Sequence, residues 1–532
     1  MSKVTTIANQ IWAMANELRG NMGAEEYKNY ILGFIFYRYL SEHQAQYLIQ
    51  NNILEVKEGQ SLTQAYQQAV EQDGLEDYLQ DMASALGYAI NPEHMWDQLV
   101  EKIQQNKIAP SDYQAIFDSF NQNTEINIEA AKDFRGVFND LNLGDSRLGN
   151  SINERTKALN KVVLLVNDIQ YKDEKGRDIL GEIYEELIGK FAANAGKKGG
   201  EFYTPHAVSQ ILAKIVTINI AKDNQVFSVY DPTCGSGSLL LTVSEQLPDG
   251  KKQGRIKFYG QELNTTTYNL ARMNLMMHGV SFSNMTLSNA NTLESDWPDG
   301  VDAQGIDRPR TFNAVVANPP YSANWDNNES KLKDPRFNAY GKLAPKSKAD
   351  FAFVLHGLYH LNNEGTMAVV LPHGVLFRGA AEGHIRQVLI EKNYIDTVIG
   401  LPANLFFGAA IPTCILVLKK NKTNKNILFI DASNEFEKGK NQNFLSEQHI
   451  NKIIQTYQAR QNVDKYAYLA DFDEIKTNDF NLNIPRYVDT FEEEEEIDLN
   501  DVMRQLAQDN QEIAQLEQEI KAQLKLLGVE IE

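Results

Sequence analysis

The chain has 532 residues, with 51 Lys and Arg against 71 Asp and Glu, a formal net charge of −20 and two cysteines. That length predicts two or three domains, and the acidic balance argues against a protein that grips nucleic acid by itself, because phosphate binding draws on clustered Lys and Arg. Cys234 and Cys414 are too few for a disulfide framework or a cysteine-rich metal site and read as reduced thiols; with no charged-then-apolar leader and no apolar run near the roughly 18 to 20 residues of a membrane span, a cytoplasmic protein with neither membrane segment nor metal site is expected.

Residues 1–165 predict an all-helical N-terminal domain. Ile31, Phe34, Ile35, Tyr39 and Leu40 recur at helical spacing, and no alternating strand pattern competes. The polar stretch 167–177 reads as a boundary. From 178 to 485, helices alternate with short apolar runs at 226–230, 256–259, 314–317, 367–371, 397–401, 415–418 and 427–430, which predicts a largely parallel, doubly wound, Rossmann-like α/β sheet. Ligands of such sheets sit beyond the carboxyl ends of the strands.

The first run leads into Asp231-Pro-Thr-Cys-Gly-Ser-Gly-Ser-Leu-Leu240, a strand ending in a glycine turn with a helix opening near Ser238. Gly235 and Gly237, flanking Ser236, let backbone approach a ligand closely. A dinucleotide fingerprint would carry a third glycine; here it is missing, and Asp231 would repel phosphate and attract a cationic amino-acid group. The ligand read from these residues is nucleoside-like and phosphate-free. Glu262, after the second run, stands where an acidic residue accepts hydrogen bonds from ribose hydroxyls, or else is a carboxylate favoured by a helix start. Asn291, after a possible third strand end at 287–292, is placed to read an adenine edge.

The run at 314–317 ends in Asn318-Pro-Pro-Tyr321, where neither strand nor helix can continue. The following stretch, 322–349, reads as a long structureless loop carrying Lys331, Lys333, Arg336, Lys342, Lys346 and Lys348, a basic island that is either merely solvated or contacts phosphates of a substrate. Phe406 and Phe407 are candidates for a second aromatic face or for core. Glu492 to Glu496 reads as a solvated connector, and 490–532 as a C-terminal heptad helix with Leu499, Leu506, Ile513, Ile520 and Leu527 at sevenfold spacing and Val502 and Leu516 on the second seam. It packs on its own domain or pairs with a partner.

Asp231 to Gly237 followed by Asn318 to Tyr321 resembles the S-adenosylmethionine loop and catalytic tetrapeptide of DNA amino-methyltransferases, and Gly199-Gly-Glu-Phe-Tyr-Thr-Pro205 resembles the segment preceding that loop in adenine-specific members. With Tyr359-His-Leu361 and Gly400-Leu-Pro-Ala-Asn-Leu-Phe406, the chain resembles the modification subunit of type I restriction-modification systems over most of its length. The resemblance implies S-adenosylmethionine as cofactor, its methionine moiety near Glu201, Phe202, Tyr203, Thr204 and Pro205, and adenine N6 in DNA as acceptor. It also implies assembly with a specificity subunit, two modification subunits to one, and with a restriction subunit. Family members commonly carry an acidic residue where Asn291 stands. Thr204 and Pro205 equally read as an N-cap and first helical residue ahead of Val208, Ile211, Leu212 and Ile215.

An adenine exocyclic amine is a poor nucleophile because its lone pair is delocalised into the ring. Two acceptors aimed at its hydrogens, the Asn318 side-chain carbonyl and the Pro319 backbone carbonyl held rigid by Pro320, would localise it. A base swung out of the duplex needs a stacking surface, which Tyr321 and Phe406 offer, worth about 1 to 3 kcal/mol. The same tetrapeptide chemistry suits cytosine N4, an RNA base or a protein glutamine. A catalytically silent, cofactor-binding assembly subunit is the rival from another class.

Overall fold

The helical spacing around 31–40 becomes the middle of one long helix, Ala24–Gln50, in which Ile31, Phe34, Ile35 and Leu40 are all buried. Helices Lys3–Leu18, Trp96–Gln104, Pro110–Thr124 and Ile152–Asn167 surround it, and Phe34, Tyr37, Phe117, Phe120 and Phe138 interlock in edge-on and tilted pairs. Reciprocal capping boxes at Ser61 with Gln64 and at Ser151 with Glu154 set two of the helix starts. The computed structural model describes residues 3–18, 22, 24–172, 178–194, 204–218, 220, 226–247, 254–294, 310–406, 411–439, 442–490 and 499–527.

Eleven strands follow among the described residues: β1 (Phe227–Asp231), β2 (Ile256–Glu262), β3 (Met285–Asn289), β4 (Phe312–Ala317), β5 (Leu361–Pro372), β6 (Ile395–Gly400), β7 (Thr413–Lys419), β8 (Ile427–Asp431), β9 (Glu437–Lys438), β10 (Asn443–Phe444) and β11 (Ala467–Ala470). Nine form one sheet in the order β11-β8-β6-β7-β5-β4-β1-β2-β3, and β9 and β10 form a small ribbon. Val226, expected to start the first strand, lies just outside it and is exposed. Strands β1, β2, β3, β4 and β5 run parallel, whereas β7 inserts antiparallel between β5 and β6. The β6–β7 connection carries no crossover helix among its described residues, and a parallel pairing needs one. Strand order reverses at β1, whose neighbours are β2 on one side and β4 on the other. In open α/β sheets that switch point is where ligands bind.

The helical region docks on the sheet through polar contacts. Arg272, on helix Thr265–Met277, donates to the carbonyls of Lys132, Asp133 and Arg135, and Asp140 accepts from Thr266 and Asn269. Burial at this junction pushes the Asp133 carboxyl up to about 7. Residues 1–488 make one compact unit and 489–532 a second. In the second, helix Leu499–Leu526 leaves Val502, Leu506, Ile513, Leu516 and Ile520 between 47% and 57% exposed. The acidic run 492–496 lies outside the described residues. No helix among the described residues is long and apolar enough to cross a membrane.

Candidate active site

At the end of β1 the chain turns sharply. The Thr233 amide donates to Asp231 Oδ1 at 2.9 Å, Gly237 N–H returns to the Cys234 carbonyl at 2.8 Å, and Gly235 and Gly237 take φ of +54° and +77°. That conformation favours glycine. At Gly237 the neighbours enforce it too, since a Cβ would come within 2.4 Å of Leu275 Cδ1. Gly237 then takes the N-cap place of helix Ser238–Glu245. Ser236 and Ser238 are buried and bonded to one another at 3.1 Å. Cys234 and Cys414 are both free and buried.

Glu262, at the end of β2, reaches across to this turn: its Oε2 accepts the Gly235 N–H at 3.1 Å and its Oε1 the Asn264 N–H at 2.8 Å. Burial raises its carboxyl above the usual range, and burial together with the Glu262 charge pushes buried Asp231 up to about 7. Two carboxylates thus crowd the mouth of the switch point, a set that favours hydroxyl donors or a cation and disfavours phosphate. Asn291 is exposed, and its Oδ1 closes a turn by accepting the Leu293 N–H at 3.1 Å. Thr292 ties that turn to β1 by donating to the Pro232 carbonyl at 2.6 Å.

Strand β4 lies beside β1, with Tyr230 paired to Val315, so Asn318 leaves the sheet at the same edge as the glycine turn. Its amide is held at both ends: Nδ2 donates to Thr204 Oγ1 at 3.1 Å and Oδ1 accepts the Tyr321 hydroxyl at 2.8 Å. Thr204 is therefore not an N-cap. Pro205 holds that place, its carbonyl accepting from Val208 and Ser209 as helix His206–Thr217 begins, while the Thr204 hydroxyl serves Asn318. Val208, Ile211, Leu212 and Ile215 are buried beneath it as the spacing predicts. Among the described residues none donates to the Pro319 carbonyl. The Tyr321 ring meets buried Phe406 edge-on, centroids 6.0 Å apart, and burial holds the phenol well above its usual pKa. Glu201, Phe202, Tyr203 and Phe407 lie outside the described residues.

The structureless loop expected at 322–349 is instead folded. Two 3-10 turns, Glu329–Lys333 and Asn338–Tyr340, pack Trp325, Phe337 and Tyr340 inward, and the neck closes where Ala349 N–H meets the Ala323 carbonyl at 3.0 Å. Nor are all its cations available to solvent. Lys331 pairs with Glu294 at 2.8 Å, and Arg336, 2% exposed, bonds Asp334, the Thr292 carbonyl and His356. Apolar residues interleaved with the cations supplied anchors that counting charges overlooks. Lys333, Lys342 and Lys346 remain exposed.

Two groups that sequence reasoning missed hold this region. Fully buried Asp350 accepts the Ser322 N–H at 2.8 Å, one residue beyond Tyr321 and at a φ of +51°, and pairs with Arg378 at 3.2 Å, which also bonds Glu382 at 2.9 Å. Behind the sheet a donor chain runs from Arg336 to His356 Nδ1 at 3.1 Å and from His356 Nε2 to Tyr230 Oη at 2.7 Å, with the Tyr230 hydroxyl bonded to Gln261. Arg only donates, so Nε2 carries the proton of His356, which burial keeps neutral. An acidic residue opening a helix after a loop was the available signal for Asp350. Among the described residues no cluster of three or more His, Cys, Asp or Glu could hold a metal.

A doubly wound sheet with two reversed strands, β7 and β11, a glycine turn after β1 and an Asn-Pro-Pro-Tyr turn after β4 defines a Rossmann-like methyltransferase. Residues 175–496 match the N-6 DNA methylase family and residues 7–166 the HsdM N-terminal domain, and the chain belongs to the N-6 DNA methylase family. It is 38% identical, over 93% of its own length and 91% of the relative's, to the type I restriction enzyme MpnII methylase subunit of Mycoplasma pneumoniae. With the HindI methylase subunit of Haemophilus influenzae it shares 33% identity over 72% of this chain and 87% of that one. The crystal structure of a type I restriction-modification system methyltransferase subunit from Streptococcus thermophilus is 43% identical, with a TM-score of 0.83 over 92% of this chain and 100% of that one. These matches favour an adenine-specific DNA methyltransferase over the cytosine, RNA, glutamine and silent-subunit alternatives.

Proposed function

We propose that this chain is the catalytic modification subunit of a type I restriction-modification complex and transfers a methyl group from S-adenosylmethionine to adenine N6 in DNA, at the Asn318 to Tyr321 turn. The observation that carries this reading is the shared edge of β1 and β4, which sets a phosphate-averse turn beside a polar amide between proline and strand. Residues 1–165 are the helical part, 178–485 the methyltransferase part and 490–532 the partner-docking part, with helix Leu499–Leu526.

The residues of the switch point fit the cofactor: the left-handed glycines Gly235 and Gly237, flanking Ser236, expose backbone at the turn, and Glu262 and Asp231, both raised by burial, gain from hydroxyl and ammonium donors. Ser238 opens the helix behind it, Asn291 would read the adenine edge, and Thr204 and Pro205, together with Glu201, Phe202 and Tyr203 before them, would hold the methionine end. When bound, S-adenosylmethionine supplies a methyl group on a sulfonium whose sulfur leaves with the bonding electron pair. Asn318 and Pro319 do the rest at the acceptor: their carbonyl oxygens accept hydrogen bonds from the two amine hydrogens, the nitrogen lone pair is localised along the attack direction, and once the N–C bond forms the cationic nitrogen loses one proton to solvent water. The Tyr321 hydroxyl holds Asn318 Oδ1, so an entering adenine takes that acceptor in its place and leaves the ring to stack, with Phe406 behind.

DNA, a specificity subunit shared by two copies of this chain, and a restriction subunit are the partners. The acidic balance and the exposed apolar seam of helix Leu499–Leu526 support delegated DNA recognition and a helix-to-helix dock. Methyl transfer from labelled cofactor to DNA, with and without the specificity subunit, followed by nucleoside analysis, should give N6-methyladenine only in the complex. Label in cytosine, or in no nucleoside, sinks the reading. Truncation after residue 498 should abolish co-purification with the specificity subunit while cofactor binding persists; normal assembly would count against the dock.

A further inference from the structure

A charged cavity of about 410 Å³ opens beside the start of helix Ala380–Glu391, between that helix and the segment 478–486. At its wall sits Arg386, only 4% exposed. Its Nε donates to the Phe480 carbonyl at 2.9 Å and its Nη1 to the carbonyls of Val375 and Arg378, each at 2.9 Å. Three of the five guanidinium hydrogens are thereby used. The two on Nη2 have no acceptor among the described residues, and Nη2 lies beside Gly383 at the cavity wall, where a Cβ would stand 3.7 Å away.

Carbonyl partners satisfy hydrogen bonds without cancelling charge. Glu382, whose field Arg386 feels, is bonded to Arg378, and among the described residues no carboxylate pairs with Arg386. Burial lowers its pKa only to about 10, so the guanidinium remains a cation at neutral pH. Arg486 and His384 add two further donors to the same lining, the uncapped first turn of the helix opens there with Gly379 at its N-cap, and the exposed Phe377 ring forms part of the rim. One carboxylate, exposed Asp479, also lines it. On a chain of net charge −20, a desolvated cation with open donors marks a place for an anion.

The cavity is mechanically joined to the target turn. Arg378, whose carbonyl holds Arg386, gives its own guanidinium to Asp350, and Asp350 takes the amide next to Tyr321. Leu482 N–H bonds the Leu376 carbonyl at 2.9 Å, and Ile484 packs at Gly400 where β6 ends, so the cavity opens near the carboxyl-end edge from which Asn318 projects. We infer that this cavity binds a backbone phosphodiester of the DNA strand near the extruded adenine, with Arg386 as the fixed donor, Arg486 and His384 as adjustable ones, and Phe377 against the sugar. The inference rests on the DNA-adenine reading above and gives the target strand a second anchor, without which a swung-out base has no fixed register.

The test uses the full chain assembled with its specificity subunit and leaves Arg386 intact, because it also ties three carbonyls. DNA affinity is measured against salt for the wild type and for Arg486→Ala combined with His384→Ala, and single phosphates around the target adenine are replaced by neutral methylphosphonates. The double variant should bind about tenfold more weakly at low salt, with the slope of log affinity against log salt reduced by about 0.9 per lost contact. One methylphosphonate position should weaken the wild type by more than it weakens the variant, which keeps only the Arg386 contact. An unchanged slope, or equal sensitivity of wild type and variant at every position, overturns the pocket assignment while methylation by the wild type keeps the adenine reading. A wild type that methylates no DNA removes both.

Discussion

The two turns that meet at the switch point are made in opposite ways. The turn after β1 takes its path from its own seven residues, through glycines in the left-handed region and an Asp231 to Thr233 bond, and Gln261, Glu262, Asn274 and Thr292 then tie that backbone to its neighbours. The turn after β4 has one bond of its own, from the Tyr321 hydroxyl to Asn318 Oδ1, and takes the rest from far along the chain. Its amide is gripped by Thr204, 114 residues away, and its exit by Asp350, 28 residues away, which Arg378 in turn holds. A turn that approaches a cofactor can be a matter of backbone; one that aims two oxygens at an amine has to be braced from outside, because proline fixes φ but not where the turn points.

If that contrast is right, damage should divide between the two halves. Asn318→Ala should cost about 10² to 10³ in methyl transfer, by analogy with removing one preorganised group from a transition-state site, with cofactor affinity unchanged. Weakened cofactor binding by calorimetry would break the division. Gly237→Ala should do the reverse: a Cβ at φ +77° pressed against Leu275 costs about 2 to 4 kcal/mol in denaturant unfolding, and cofactor affinity falls with it. Unaltered stability would show that the turn relaxes.

Asp231 sharpens the comparison through pH. Its folded-state value, about 7, lies above the ordinary 3.8, so the folded chain holds the proton more tightly than the unfolded one. The associated stability is fully present below about 4 and is lost as pH rises through 7. Asp231→Asn should therefore raise the melting temperature of ligand-free protein most above pH 7, with the gain shrinking toward pH 4. A gain independent of pH would assign it to something other than the buried charge. The smallest effect belongs to Asp350→Asn, which keeps an acceptor for Ser322 but loses the ion pair. Turnover should fall about tenfold with the KM for cofactor unchanged, as expected for a group that only braces the target turn, and a shift in cofactor KM would place it in the other half.

The same division governs what could be read beforehand. Sequence alone determined the helical and α/β texture, the glycine turn and the proline turn, because these are written in neighbouring residues: spacing of apolar positions, positive-φ glycines, prolines that end a strand. It also placed the heptad seam of helix Leu499–Leu526, whose apolar residues remain exposed. Only the tertiary structure decided that the Thr204 hydroxyl serves Asn318, that Arg336 is an internal anchor, that 322–349 is folded and that β7 runs antiparallel. Those facts depend on which distant polar groups meet once water is excluded, and a buried donor takes whichever acceptor packing brings to it, a choice that no local pattern of residues encodes.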